Sequence, residues 1–204
     1  MGGWVTRLTR AQQQQRTHEQ LLEAGWSVFM RRGFLAATVE EIVAEAGYTR
    51  GALYKHFGGK EGLWLAITDV QVDEHLLHLA DRLDGVAGRD ELVEALVPVG
   101  PVFGEGEPRR SVAAYEFAAW IAGQPELAAT VVATQKLREA RIVEMLERNC
   151  ARLGVQPVMP LPHVVVFVGA LGGSLALRRA VDPDTDVRAI AIGALAAVFP
   201  KGQS

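Results

Sequence analysis

The segment Thr49–Phe57 carries side chains suited to contact nucleic acid, and their spacing is that of one helix face. Arg50 and Tyr54 are four residues apart, so they share a face that lies about 100° around the axis from Leu53. An arginine presents donors that match guanine O6 and N7, and a tyrosine hydroxyl binds a phosphate oxygen. If Leu53 and Phe57 are buried, Arg50 and Tyr54 point outward and can contact a duplex.

Capping threonines and glycine stops define the elements that position this segment. Thr38 opens a capping box, and a short helix follows it as far as Gly47. Thr49 can cap a second short helix, which ends at Gly58. Two short helices joined by a glycine turn, within about 25 residues, predict a helix-turn-helix whose second helix enters the DNA major groove.

Helical patterns cover the rest of the chain, and alternating strand patterns are absent. The predicted fold is all-α, with an N-terminal three-helix helix-turn-helix domain over 10–66 and a larger helical domain over 67–204. A flexible loop is predicted over 100–108. Outside the helix-turn-helix, helices are predicted over 10–32, 60–83, 90–99, 109–122, 126–153, 161–181 and 185–199.

The stretch from Gly47 to Leu63, GYTRGALYKHFGGKEGL, resembles the DNA-binding signature of the TetR family of repressors. Upstream, Gly33-Phe34, Ala37-Thr38-Val39 and Ile42 are similar to the first two helices of the same family. The resemblance implies a three-helix DNA-binding domain, a helical domain for ligand binding and dimerisation, and a homodimer. It covers about 30 residues and is specific because several positions match jointly; the remaining two-thirds of the chain matches only in length and helical layout.

Ten positions are predicted to contact DNA. The resemblance implies phosphate contacts for Thr38, Tyr54 and Lys60, and it places Thr49–Gly51 nearest the bases. Tyr48 stands where the family has a small aliphatic residue, and it either packs in the turn or reaches a phosphate. Ala52 replaces a frequent threonine and leaves a methyl that can touch thymine. The predicted DNA-binding residues are Thr38, Tyr48, Thr49, Arg50, Gly51, Ala52, Tyr54, Lys55, His56 and Lys60.

The larger domain holds aromatic and sulfur-containing side chains, with a few polar groups, that could line an apolar ligand pocket. Each of them, taken singly, is better explained as simple core. The predicted ligand-binding residues are Phe103, Glu116, Phe117, Trp120, Met145, His163 and Phe167.

The last two predicted helices carry small and apolar residues at helical spacing, which would allow the backbones of two subunits to approach closely. The alternative is that these residues belong to the subunit's own core. The predicted dimer-interface residues are Gly169, Gly173, Ala176, Ala180, Ile190, Ala194 and Val198.

Charge and cysteine content limit the other functions open to the chain. The net charge is −3, yet residues 1–62 hold eight basic and six acidic side chains, which leaves that part at +2. Cys150 is the single cysteine, so no intrachain disulfide forms, which suits a reducing cytoplasm. The apolar run over 164–177 falls short of the ~20 residues that a membrane span needs.

No catalytic cluster, metal site or cofactor motif is recognised. His75 and His78 are three residues apart, but no further ligand follows in a pattern typical of a metal site. The resemblance implies double-stranded operator DNA, an unknown small-molecule effector and a second copy of the chain as partners, and neither a cofactor nor a membrane is expected.

These observations and the resemblance together predict a cytoplasmic, ligand-responsive DNA-binding transcriptional regulator. The resemblance alone implies that it is a repressor, which releases a palindromic operator when it binds a small molecule. One alternative is a DNA-binding regulator that responds to no ligand. The other is a helical enzyme acting on small molecules, with a vestigial DNA-binding motif.

Overall fold

The computed structural model describes residues 9–98 and 108–201. Over these ranges the chain forms nine α-helices and no strand, which confirms the predicted all-α class. The helices are α1 Arg10–Arg32, α2 Val39–Ala46, α3 Arg50–Phe57, α4 Lys60–Asp84, α5 Arg89–Leu96, α6 Pro108–Ile121, α7 Pro125–Leu153, α8 Leu161–Val181 and α9 Val187–Val198.

The chain folds as two compact units that divide within α4, one ending at Val70 and the other beginning at Gln71. The first unit contains α1, α2, α3 and the start of α4. The second contains the rest of α4 and α5 to α9. The division proposed from the sequence, between residues 66 and 67, stays a prediction.

The core of the first unit is aromatic where α1 meets α4. The rings of Phe29, Phe34 and Trp64 lie 5.2–5.9 Å apart between centroids, and Trp64 meets the other two edge-on. Edge-to-face pairs of this kind add about 0.5–1.5 kcal/mol each to the burial of the rings. Leu21 of α1 and Ile42 of α2 are fully buried beside them, so the three helices close around one core.

Threonine hydroxyls begin the first three helices. Thr9, Thr38 and Thr49 each accept a hydrogen bond from the backbone N–H three residues on, at 3.2–3.3 Å. Gly47 ends α2 with φ 72°, a left-handed conformation that side chains other than glycine rarely adopt. The turn between α2 and α3 is therefore short and has a fixed direction.

In the second unit, α4, α5, α7, α8 and α9 share a continuous apolar core. Leu92, Leu146, Val164 and Leu195 lie at its centre and are fully or almost fully buried. Helix α6 packs mainly on α8 and also contacts α7.

Two arginines satisfy carbonyl oxygens at helix ends in this unit. Arg152 of α7 donates to the carbonyl oxygens of Val86 and Leu83, at 2.7 and 3.4 Å, where α4 ends. Arg89 donates to the carbonyl of Ala196 at 2.6 Å, where α9 ends. The last carbonyls of a helix lack intrahelical partners, so these contacts tie distant chain segments together.

Two helix ends differ from the sequence prediction by two residues or more, each for a local reason. α5 stops at Leu96 because Val97 precedes a proline and adopts ψ 124°, outside the helical region. α9 starts at Val187 because the Asp186 carboxylate caps it, accepting from the N–H of Ala189 at 2.9 Å. The loop predicted over 100–108 lies outside the described residues, except that Pro108 begins α6.

Helix α8 has an unusually apolar composition. It is the one described helix long and apolar enough to cross a membrane by length and composition, with a mean hydropathy of 1.6 over its best window, and only 22% of that window is buried. Val164, Val165 and Ala176 face the subunit core, whereas Val166 and Val181 are exposed. The helix therefore buries one side in its own subunit and leaves a second apolar side uncovered.

The junction of α3 and α4 depends on a glycine that has no room for a side chain. A Cβ atom at Gly62 would lie 1.8 Å from the carbonyl oxygen of Phe57, closer than any real contact. The backbone of α4 thus approaches the end of α3 directly.

We predict that Gly62→Ala lowers the free energy of unfolding by about 1–3 kcal/mol, since the new methyl must displace the backbone of α3 or α4. Urea unfolding followed by circular dichroism measures the effect. Gly51→Ala is the matched control, because a Cβ there meets only Thr49 Oγ1 at 3.8 Å. Alanine at 51 should leave stability unchanged or slightly raised, and equal destabilisation of the two variants would contradict the close approach at Gly62.

Candidate nucleic-acid interface

Helix α3 is anchored by one side chain and exposes the opposite face. Leu53 is fully buried, whereas Tyr54 is 47% exposed and the Arg50 side chain 62% exposed. Thr49, Gly51 and Lys55 are also exposed, and Ala52 is intermediate. This arrangement is the one expected of a helix that presents its N-terminal residues and one face to a DNA groove.

Lys60, at the start of α4, is held by backbone oxygens. Its ammonium donates to the carbonyls of Phe34, Leu35 and Ala37 at 3.0, 3.4 and 3.0 Å, and lies 4.7 Å from the centroid of the Phe34 ring. An ammonium has three protons to donate. A phosphate contact by Lys60 therefore requires one of these hydrogen bonds to be exchanged.

The hydroxyls of Tyr48 and Thr38, for which a phosphate contact was also considered, have partners within the chain. The Tyr48 hydroxyl donates to Gln20 Oε1 at 2.6 Å, which ties the turn before α3 to α1 and favours the packing role for this side chain. The Thr38 hydroxyl donates to Glu41 Oε2 at 3.1 Å within the capping box. Thr38 is nevertheless exposed, so a phosphate oxygen can approach the start of α2.

A histidine that the sequence did not single out lies against α3. The His18 ring of α1 stacks on Phe57 with centroids 4.7 Å apart, and lies 5.7 Å from the His56 ring. Partial burial, with the nearby His18 and Lys55, lowers the pKa of His56, so its neutral form is favoured. A single histidine in a helical stripe gives no sign of this contact, because it depends on how α1 crosses α3.

The predicted ligand-binding residues are not gathered around one space. Phe117 is buried and its ring lies 6.2 Å from that of Trp120, both on α6. Met145 and Phe167 pack instead against the core shared by α4, α5 and α7 to α9. His163 is exposed, Glu116 is intermediate, and Phe103 lies outside the described residues. The assignment of these residues to an effector site stays a prediction.

The predicted dimer surface needs a correction at two positions. Ala176 and Val198 are only 6% and 4% exposed in the single subunit, so they belong to its own core and not to a free seam. Gly169 and Ile190 are exposed as predicted, and Gly173, Ala180 and Ala194 are intermediate. The exposed lines lie beside the predicted ones, over Val166, Gly169, Ala170 and Ser174 on α8, and Ile190, Gly193 and Ala197 on α9.

His75 is largely buried on α4, and its pKa is lowered, first by that burial and then by the neighbouring Arg82, His78 and Arg110. Over residues 9–98 and 108–201 no group of three or more His, Cys, Asp or Glu side chains is placed to hold a metal ion. The neutral form of the His75 imidazole is thus favoured beside these positively charged groups.

The fold and the exposed face of α3 define the class of protein, one with a helix-turn-helix at its N-terminus. Residues 21–67 match the family model described as bacterial regulatory proteins, tetR family. Over 80 residues the chain is 37% identical to the transcriptional repressor AcnR of Corynebacterium glutamicum, and over 54 residues 44% identical to the transcriptional activator FasR of Mycolicibacterium smegmatis. These regions are 39% and 26% of this chain, and 38% and 25% of the relatives' own lengths.

Solved structures extend the likeness over most of the fold. A TetR-family transcriptional regulator from a Rhodococcus species matches with a TM-score of 0.71 and 21% identity, over 91% of this chain and all of that chain. FadR of Bacillus subtilis, solved in complex with stearoyl-CoA, matches with a TM-score of 0.62 and 14% identity, over 89% and 97% of the two chains. Residues 21–67 are therefore similar to the N-terminal domain of the tetR family of bacterial regulatory proteins.

We predict that Lys60→Ala lowers the free energy of unfolding by about 1.5–3 kcal/mol, the usual value of hydrogen bonds to a charged group. If Lys60 also neutralises a phosphate, the slope of log Kobs against log salt for DNA binding becomes shallower by about 0.9 for each subunit bound. Urea unfolding and DNA titrations at several salt concentrations measure the two effects.

The exposed Lys55 supplies the control, because Lys55→Ala removes the same charge without these carbonyl contacts. Stability equal to that of Lys55→Ala would contradict the structural role of Lys60. A salt slope that does not change would remove Lys60 from the set of phosphate contacts.

Proposed function

We propose that the chain is a homodimeric DNA-binding transcriptional regulator whose affinity for its operator depends on a small molecule. The observation that carries the proposal is the face of α3, on which Arg50 and Tyr54 are exposed while Leu53 on the other side is buried. The relatives that share the N-terminal domain are named as regulators of transcription, which favours this function over the enzyme alternative. A regulator of this class acts on the chromosome, and hence in the bacterial cytoplasm.

In this proposal α3 lies in the major groove of the operator. Arg50 donates to a guanine edge, and the Tyr54 hydroxyl donates to a phosphate, which fixes the position of the helix on the backbone. One chain supplies one such helix, so a second subunit supplies the other, one helical turn or about 34–36 Å away, or a multiple of that distance. The operator is accordingly palindromic.

The dimer forms through α8 and α9 in this proposal. Both helices carry an exposed line of small and apolar residues, and only 22% of the most apolar window of α8 is buried in the single subunit. Glycine and alanine on these lines allow the helices of two subunits to approach closely, as in a four-helix bundle. A second copy of the chain covers both lines by the same contacts, because a two-fold interface uses one surface twice.

The small molecule binds in the second unit. Its fold is that of FadR, whose solved structure contains stearoyl-CoA, so a helical domain of this type has room for an apolar ligand. We propose that the ligand releases the operator and that the regulator represses; the ligand and the operator are then coupled, each lowering the affinity for the other. In the rival function, a regulator without a ligand, no compound changes operator affinity.

We predict that Arg50→Ala changes the sequence preference, costing about 1–3 kcal/mol at one base pair of each half-site. Tyr54→Phe should instead weaken binding to all duplexes by a similar factor, because a phosphate contact carries no base identity. Selection of bound duplexes from a random pool identifies the operator, and titrations against single-base variants measure the two effects. Equal weakening of every duplex by Arg50→Ala would make Arg50 a phosphate contact.

We predict that Gly193→Glu gives a folded monomer whose operator affinity falls to the non-specific level, typically 10³-fold or more below specific binding. A Cβ at Gly193 meets no atom within 4 Å in the single subunit, so the new side chain disturbs only association. Ala194 is a poorer test position, because it is half-buried in its own subunit. Sedimentation measures the mass and far-UV circular dichroism the helix content.

Ala133→Glu on the exposed side of α7 is the control, since it adds the same charge outside α8 and α9. It should remain dimeric and bind the operator as the parent chain does. A Gly193→Glu variant that stays dimeric would show that the subunits meet elsewhere.

A further inference from the structure

Glu40 of α2 forms an ion pair with the residue proposed to read the bases. Arg50 Nη1 lies 2.9 Å from Glu40 Oε1, and both side chains are about three-fifths exposed, at 62% and 60%. The ion pair uses one nitrogen of the guanidinium, Nη1. A guanidinium has five N–H donors, so the donors on its other nitrogens can still bind a base edge. Glu40 can therefore hold Arg50 while a base edge is bound.

The position of Arg50 explains why a nearby carboxylate matters. Arg50 is the first residue of α3, where unpaired N–H groups and the helix dipole create a positive field that disfavours a cation. The first turn of α3 contains no acidic residue to offset this field. The carboxylate that pairs with Arg50 comes instead from the preceding helix.

The three glutamates of α2 are each paired with an arginine, but they differ in what their partner does. Glu41 lies 3.3 Å from Arg32 and Glu45 lies 2.6 Å from Arg31, and both of these arginines belong to α1. Those two pairs link α2 to α1. Of the three, Glu40 alone pairs with a residue of the helix that faces DNA, so its effect falls on recognition.

A carboxylate at this position changes where Arg50 binds on a duplex. A long cationic side chain at a protein–DNA interface has phosphates on either side of the base edge, and a contact with them carries no sequence information. In general, a carboxylate beside such a side chain repels phosphates and restricts the side chain, so it weakens binding to every duplex and favours contact of the cation with the base edge. Affinity is reduced, and discrimination between bases is increased.

We infer that Glu40 is a positioning residue that sets the sequence discrimination of Arg50. This inference rests on the proposed function, and specifically on Arg50 as the base-reading residue. Glu40 contacts no base itself; it acts through the orientation of the guanidinium.

The test compares Glu40→Gln with the parent chain on two duplexes, the selected operator and the same operator with the base pair read by Arg50 replaced. The ratio of the two dissociation constants is the discrimination, and it is independent of the active fraction of each preparation. We expect Glu40→Gln to lower this ratio about twofold to fivefold, the range that an exposed ion pair supports. Binding to an unrelated duplex should become tighter, most clearly at low salt, where charges are least screened.

Glu45→Gln is the matched control, because it removes the same charge from the same helix but breaks the ion pair of Arg31 and not that of Arg50. It should leave the discrimination unchanged, although removal of a negative charge tightens its binding to all duplexes slightly. In an Arg50→Ala background, Glu40→Gln should also leave the discrimination unchanged, since the residue on which it acts is absent.

Two results would overturn the inference. Glu40→Gln and Glu45→Gln could change the discrimination equally, which would make Glu40 a general source of negative charge. Alternatively, Glu40→Gln could retain its effect without Arg50, which would make Glu40 a contact in its own right. A parent chain that selects no duplex above the non-specific level contradicts the proposed function instead, so the two failures are distinguishable.

Discussion

The burial of Leu53 against the first unit's core is the interaction on which the recognition surface depends. An isolated helix of eight residues is not stable in water, so α3 exists because other elements hold it. Complete burial of a leucine contributes about 1.5–3 kcal/mol, and it also fixes the rotation of the helix about its axis. With Leu53 inward, Arg50 and Tyr54 have only the solvent side available. The capped turn before α3 fixes the position of its first residues, and the close approach of α4 fixes the position of its last ones.

The helices of the second unit are held in place by different interactions. Its core is aliphatic, and guanidinium groups connect its helix ends across large sequence separations, as Arg152 does for the end of α4 and Arg89 for the end of α9. Arginine suits this task because its planar group donates in several directions while its stem packs against apolar surface. Helices α8 and α9 are consequently held firmly on one side. Their opposite sides can be small and apolar while the subunit stays ordered.

Much of the fold could be predicted from the sequence because its signals are local. The bounds of α1, α3 and α8 agree with the predicted ones, since capping threonines, glycine stops and regular apolar spacing act within a few residues. The outward direction of Arg50 followed from Leu53 by helix geometry alone. The tertiary partners did not follow. Neither the carbonyl oxygens around Lys60 nor the proximity of His18 to His56 is encoded by spacing within one helix. Two residues predicted at the dimer interface, Ala176 on α8 and Val198 on α9, are buried in their own subunit for a related reason. Both helices are apolar on nearly every side, so the spacing of apolar residues does not show which side faces the subunit's own core.

The environment of Lys60 also has a chemical consequence. Its nitrogen donates all three protons to carbonyl oxygens, so it must give up a hydrogen bond and a proton before a lone pair can attack an electrophile. Lys55 is exposed, whereas Lys60 is half-buried. An acylating agent would therefore reach Lys55 on α3 before it reached Lys60. Such a modification would remove a positive charge from the face that we propose contacts DNA, and it would leave the contacts of Lys60 beneath that face intact.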